Sequence, residues 1–283
     1  MPIVVSSLNY TYMPGSTQEY KALTDISLTV RDGEFLGIIG HTGSGKSTFV
    51  QHLNGLIQPT SGTVSVDGFQ MADKKQRIKG RALVGMVFQY PEYQLFEETV
   101  EKDIAFGPRN RGLSDKEISE RVRESMELVG LQHETFREKS PFELSGGEKR
   151  RAALAGIIAM RPKYLVLDEP MAGLDPKGRK DILNTIRLLK KRTKCGIIMV
   201  SHSMDDIASE ADRIAVFNGG RLERIGTPGE VFADSEALLK MGLDIPQVSR
   251  LALELRQRGV EVPEGLFKLE DMKDFLLRRL RRV

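Results

Sequence analysis

Four short apolar runs mark the chain: Phe35–Ile39, Leu83–Val87, Tyr164–Leu167 and Gly196–Val200. They are rich in Ile, Val and Leu and do not alternate, which is the pattern of strands buried on both faces of a parallel sheet. Helical patterns separate several of them, so an α/β layered fold is expected. Ahead of them, Ile3–Leu8 and Ile26–Val30 alternate better and predict antiparallel strands. A turn at Arg31-Asp32-Gly33 then leads into Phe35. From about residue 100 to 160 strand signals give way to helix signals. Ser114-Asp115-Lys116-Glu117 is a capping box, followed by Ile118, Val122, Met126 and Val129 at helical spacing. Ser145-Gly146-Gly147-Glu148 is a second, opening a helix that runs to about Met160. This predicts a helical subdomain inserted between sheet strands.

After Phe217 the pattern changes. Asn218-Gly219-Gly220-Arg221 reads as a turn between short strands, and Gly226-Thr227-Pro228 breaks the chain. Beyond it lie two helical stripes, Val248, Leu251, Ala252 and Leu255, then Met272, Phe275, Leu276 and Leu280. The domain expectation is therefore a unit over 1–228 and a small helical appendage over 229–283.

Composition narrows the function classes. Of 283 residues, 40% are hydrophobic and 29% charged, which excludes disorder. The 42 Lys and Arg against 39 Asp and Glu leave a net charge of +3, too little for a polybasic nucleic-acid surface. Cys195 stands alone, so no internal disulfide forms and a reducing compartment is expected. The first dozen residues lack the pattern of a signal peptide. No apolar run approaches the roughly 20 residues of a membrane span.

Gly40-His41-Thr42-Gly43-Ser44-Gly45-Lys46-Ser47-Thr48 fits G-x-x-x-x-G-K-[ST], between an apolar strand and a segment that can continue as a helix. Glycines let successive N–H groups turn toward phosphate oxygens, and the helix start adds positive partial charge. Lys46 is expected at the β- and γ-phosphates and Ser47 on Mg²⁺. His41 reads as a solvent-facing spacer within the loop. Tyr164–Leu167 ends in Asp168-Glu169, two acids at the carboxyl end of a strand, where ligands sit. Asp168 is expected to hold Mg²⁺ and Glu169 to act as general base. His202 follows another apolar strand and emerges at the same edge. His52 and His133 have no such setting.

Leu144-Ser145-Gly146-Gly147-Glu148 resembles the LSGGQ signature of ATP-binding cassette (ABC) proteins, with Glu148 in place of Gln. The resemblance covers about residues 1–230 and implies a P-loop NTPase cassette. That architecture has a parallel sheet core, an antiparallel β subdomain and an inserted helical subdomain, here with the helical appendage. It also implies ATP and Mg²⁺ as ligands, and a signature that contacts the ATP bound by a partner's phosphate loop. By the same resemblance Gln89 is the Q-loop glutamine, which touches Mg²⁺ or the lytic water. Ala172-Gly173-Leu174-Asp175 is the D-loop, crossing to the other subunit. Tyr12 or Tyr10 stacks on adenine. Met171, where the family usually has Thr or Ser, has no functional account.

The segment Val87–Pro108, with Gln89-Tyr90-Pro91-Glu92-Tyr93-Gln94, resembles the Q-loop and Q-helix of energy-coupling factor (ECF) transporter ATPases, and Ser140-Pro141-Phe142-Glu143 with Asp175-Pro176-Lys177-Gly178-Arg179 resembles the second, A-prime type of that group. That implies pairing with a second ATPase beneath a transmembrane coupling protein at the cytoplasmic face of the membrane. A separate membrane protein would capture a vitamin or transition-metal ion. Glu97, Glu98 and Glu101 are then candidates to receive the coupling protein's arginines. The C-terminal stripes could close a subunit contact or pack on their own cassette. The basic ending Leu277–Val283 reads as a solvated helix end. Two rivals are a cassette of another transporter type and a soluble cassette acting on nucleic acid or ribosomes. The latter is disfavoured because the Lys46–Ser145 interval lacks sustained heptads and the chain carries one cassette.

Overall fold

The computed structural model describes residues 1–280; Arg281–Val283, the end of the basic terminus, lies outside them. The ten strands are β1 (Ile3–Tyr12), β2 (Tyr20–Val30), β3 (Phe35–Gly40), β4 (Ser61–Val66), β5 (Phe69–Gln70), β6 (Val84–Val87), β7 (Tyr164–Asp168), β8 (Gly196–Val200), β9 (Arg213–Asn218) and β10 (Arg221–Gly226). They form two sheets. The order β10-β9-β3-β8-β7-β6 is parallel apart from the β9–β10 hairpin, and β2-β1-β4-β5 is antiparallel.

The non-alternating strand sequences follow from this layering. Leu36 and Ile38 of β3, with Tyr164 and Val166 of β7, face a core shared with the antiparallel sheet and the helix Lys46–Leu53. Phe35, Ile39, Leu165 and Leu167 face a second core against the remaining helices. Both faces are dry, so both sets are apolar. The antiparallel sheet is larger than the sequence reading. β1 and β2 extend to Tyr12 and back to Tyr20, and β4 and β5 add a hairpin turning through Asp67 and Gly68, both at positive φ.

Between β6 and β7 the described residues are helical. The helices Val100–Asn110, Asp115–Leu128, His133–Phe136 and Gly146–Ala159 pack together through Ile104, Ile118, Val122, Met126 and Ala155. Both expected capping boxes form, at Ser114–Glu117 and Ser145–Glu148. Thr227 caps a further helix, Pro228–Ala233, with a box of its own.

The C-terminal segment divides by packing. Val231, Phe232, Leu238, Leu243 and Ile245 are buried in the large helical-side core. Ala252, Val262 and Met272 form a small separate cluster on the helices Gln247–Gln257 and Leu269–Leu280. Two stripe residues depart from the expected pattern: Leu251 and Leu280 point outward and stay exposed. Met171 is a core side chain, which gives this position a packing role.

Candidate nucleotide site

The phosphate loop is built by close backbone approach. Gly45 sits at φ 96° as the N-cap of the helix Lys46–Leu53, and a Cβ there would lie 2.8 Å from the Ala22 carbonyl oxygen. Only glycine meets both conditions. Lys46 is 5% exposed, and its Nζ donates to the carbonyls of Gly40 at 2.7 Å and His41 at 2.9 Å. Its ammonium thus lies curled within the loop. Burial pulls it below the ordinary lysine range, with the charges of Glu169 and Asp168 opposing.

A cleft of about 390 Å³ opens over the loop. Thr42, Gly43, Gly45, Lys46, Ser47 and Thr48 line it on one side, with Gln89, Glu169 and His202 facing them. Parallel β3, β7 and β8 bring these together, because their carboxyl ends share one sheet edge. Glu169 follows β7 at φ 51°, and its N–H donates to the Val200 carbonyl at 3.0 Å. The turn aims the carboxylate inward. Oε1 lies 2.8 Å from His202 Nε2, and Oε2 accepts from Gln89 Nε2 at 3.4 Å.

Asp168 is nearly fully buried, and burial raises its carboxyl above the usual range against the pull of the Ser47 hydroxyl. Its Oδ1 is buried without a partner. An orphaned carboxylate oxygen beside a hydroxyl, under a loop of N–H donors, suits a hard divalent cation.

Several expected residues lie elsewhere. Gly40 and Ser44 are buried beneath the loop. His41 is half-buried rather than a solvent-facing spacer, with Nε2 3.2 Å from Asn218 Oδ1 and Nδ1 2.8 Å from the Thr42 carbonyl. It braces the loop against the end of β9. Of the two tyrosines, Tyr10 packs edge-on against Tyr12 and His52 at 4.7 and 4.9 Å. Tyr12 is the more exposed, its hydroxyl 3.1 Å from Thr48 Oγ1. Ser145, Gly146, Gly147 and Glu148 do not line this cleft. Gly147 instead borders a separate hollow with Leu174 and Asp175, and Asp175 caps the helix Pro176–Thr193 by accepting from Gly178 N–H at 2.8 Å. The Ser145 hydroxyl donates to Glu148 Oε2 at 2.7 Å.

Two neighbouring features escaped the sequence reading. Arg150, 4% exposed, donates to both carboxylate oxygens of Glu92 at 3.0 and 2.7 Å and to the Ala172 carbonyl at 2.7 Å. Its guanidinium also lies 5.9 Å from the Tyr90 ring centre. The available signal was position: Arg150 shares a helix face with buried Leu154 and Ile158. The second feature is a groove of about 520 Å³ lined by Leu56, Ile78, Phe88, Phe96, Asp103 and Phe106 among others. Glu97, Glu98 and Glu101 do not line it. Glu98 pairs with Lys102 at 2.5 Å, and Glu101 lies 3.9 Å from His133 Nε2.

Fold and cleft together define a P-loop nucleoside triphosphatase cassette. The family model described as ABC transporter matches residues 23–172. An energy-coupling factor transporter ATP-binding protein EcfA2 from Clostridium perfringens (strain 13 / Type A) is 57% identical over 99% of both chains. The solved structure of cbiO1 from Clostridium perfringens, described as part of the ABC transporter complex cbiONQ, superposes with a TM-score of 0.74. It is 37% identical over 88% of this chain and 97% of that one. A dimeric cassette in a post-hydrolysis state, bound to ADP and Pi, gives a TM-score of 0.70 at 27% identity, over 80% of this chain and 98% of its own. The chain belongs to the ABC transporter ATPases and, within them, to the energy-coupling factor transporter ATP-binding proteins. Such cassettes use ATP with Mg²⁺. Among the described residues no helix is long and apolar enough to cross a membrane.

Proposed function

We propose that the chain is the ATP-hydrolysing motor subunit of an ECF-type importer, one of two cassettes beneath a membrane coupling protein. The observation that carries this is the Glu169 carboxylate, held between His202 and Gln89 and facing the phosphate loop. In this reading Lys46 reaches the β- and γ-phosphates. Thr42, Gly43, Gly45 and Thr48 surround them with backbone N–H groups, and Tyr12 lies under the adenine. Ser47 and Asp168, with Gln89, hold Mg²⁺, which when bound neutralises phosphate charge. Glu169 takes the proton of the attacking water, and His202 orients Glu169. Phosphoryl transfer is chiefly positioning and charge stabilisation, and these residues supply both.

One chain leaves the site half built. At the helix start Ser145–Gly147 the N–H groups of Gly146 and Gly147 are free, that of Ser145 donates to Glu148, and none of the three residues lines the chain's own cleft. A second cassette, turned to face the first, brings Ser145, Gly147 and Asp175 to the opposite side of the ATP. The apolar groove beside the Q-loop suits the coupling protein. Phe96, 57% exposed, and Phe106 offer aromatic anchors, while Glu97, Glu98 and Glu101 stand outside the lining. The chain then sits as a peripheral subunit on the cytoplasmic face of the membrane, with the substrate-capture protein reached only through the coupling protein.

Purification of the tagged chain from membranes tests this. Recovery of one coupling protein and a second, related ATPase is the expected result. Recovery of two matched permeases would place the chain in another transporter class, and nucleic-acid-stimulated hydrolysis would favour the soluble rival.

A further inference from the structure

The cleft has an aromatic residue that no motif names. Tyr20 opens β2 and is the cross-strand partner of Tyr12 at the end of β1. Paired positions on neighbouring strands present their side chains on the same face, about 5 Å apart. Both phenols reach the phosphate loop, at different points. Tyr12 Oη lies 3.1 Å from Thr48 Oγ1, on the helix that follows the loop, while Tyr20 Oη donates to the Gly43 carbonyl at 3.3 Å, on the loop itself. Tyr20 lines the cleft beside Ala22, Gly43 and Lys46. The residue is 55% exposed and borders a cleft of about 390 Å³. Gly43 sits at φ 80°, a left-handed backbone that favours glycine, and its carbonyl is the point the Tyr20 hydroxyl reaches.

We infer that Tyr20 is a nucleotide-binding residue, its ring a second aromatic wall against the nucleoside and its hydroxyl a tether that holds the Gly43 peptide in place. The two parts act on different portions of the ligand. The tether shapes the phosphate cradle. The ring contacts the base or ribose, which inorganic triphosphate lacks. This inference rests on the cleft being a nucleoside triphosphate site.

The experiment measures dissociation constants of the full-length chain for Mg-ATP and Mg-triphosphate, with Tyr20→Phe and Tyr20→Ala. The tether, one ordinary hydrogen bond, is expected to cost Tyr20→Phe about 2- to 10-fold for both ligands alike. Tyr20→Ala is expected to lose a further factor of about 10 for ATP alone, the range of base–aromatic stacking, with triphosphate no weaker than in Tyr20→Phe. KM for ATP should rise with it while kcat holds, the signature of uniform binding. Equal losses for the two ligands in Tyr20→Ala would remove the aromatic wall, and a Tyr20→Phe chain that binds like the parent would remove the tether. Lys46→Ala separates the two layers of the argument. If it leaves ATP affinity intact, the phosphate-cleft assignment itself fails and takes this inference with it.

Discussion

Replacing Glu169 by Gln isolates one property of the site. The amide is the same shape as the carboxylate, and the contacts around it can persist. With His202 in its Nδ1-protonated tautomer, Nε2 accepts from the new amide N–H at the position now 2.8 Å away. The amide oxygen still accepts from Gln89 Nε2, now 3.4 Å distant. The left-handed backbone at residue 169 is no harder for Gln than for Glu, and the bond from its N–H to the Val200 carbonyl is untouched. What disappears is the ability to take a proton. General-base catalysis contributes roughly 10²–10⁴-fold, so the barrier should rise by about 3–5 kcal/mol. Single-turnover hydrolysis of Mg-ATP by the full-length chain reads this directly, and ATP affinity should stay near the parent's. Size-exclusion chromatography with Mg-ATP should also show a trapped pair of cassettes. A hydrolysis rate within about threefold of the parent would refute the base assignment, because no packing change is available to compensate.

Three further outcomes are expected. Arg150→Met leaves the Glu92 carboxylate without its partner, and removal of one member of a buried pair costs about 3–5 kcal/mol, to be read as a lower midpoint in guanidinium. Truncation after residue 228 strips Val231, Phe232, Leu238 and Leu243 from the main core and should give insoluble protein, whereas a chain ending at residue 246 keeps them; solubility and thermal unfolding separate the two. Burial pushes the Cys195 thiol up from 9.0 to about 12, so its thiolate is about a thousandfold scarcer at pH 8 than for a free thiol. A thiol reagent should therefore label it only after denaturant is added.

Much of the site was legible because its chemistry is local. The phosphate loop and both capping boxes are contiguous segments whose residues act on their own backbone, and Asp168-Glu169 are adjacent at the end of one apolar strand. The parallel strands were legible because β3 and β7 are dry on both faces. What escaped depends on residues distant in the chain. Arg150 meets Glu92 from 58 positions away, and Tyr20 gains its meaning from Tyr12 and Gly43. The β4–β5 hairpin carried its own signal, Val64 and Val66 alternating with Ser and Thr before Asp67-Gly68, a dipeptide suited to the tight turn observed. The C-terminal stripes marked helices correctly, but periodicity cannot distinguish a face that joins the main core from one that forms a satellite. Leu251 and Leu280 fall on neither.

The Arg150 contacts have a mechanical consequence. One guanidinium ties the Glu92 turn, the signature helix and the peptide of Ala172 into a single rigid knot. Relative motion of any two of these must break at least one charge-assisted bond in a dry setting. The cheaper movement keeps all three together, swinging as one lever about the segments that flank them. A displacement of the Glu92 turn would then reach the Ala172 peptide through a single side chain. The joint between the Q-loop segment and the D-loop segment is thus one buried guanidinium, so its stiffness is that of three hydrogen bonds and not of a packed apolar layer.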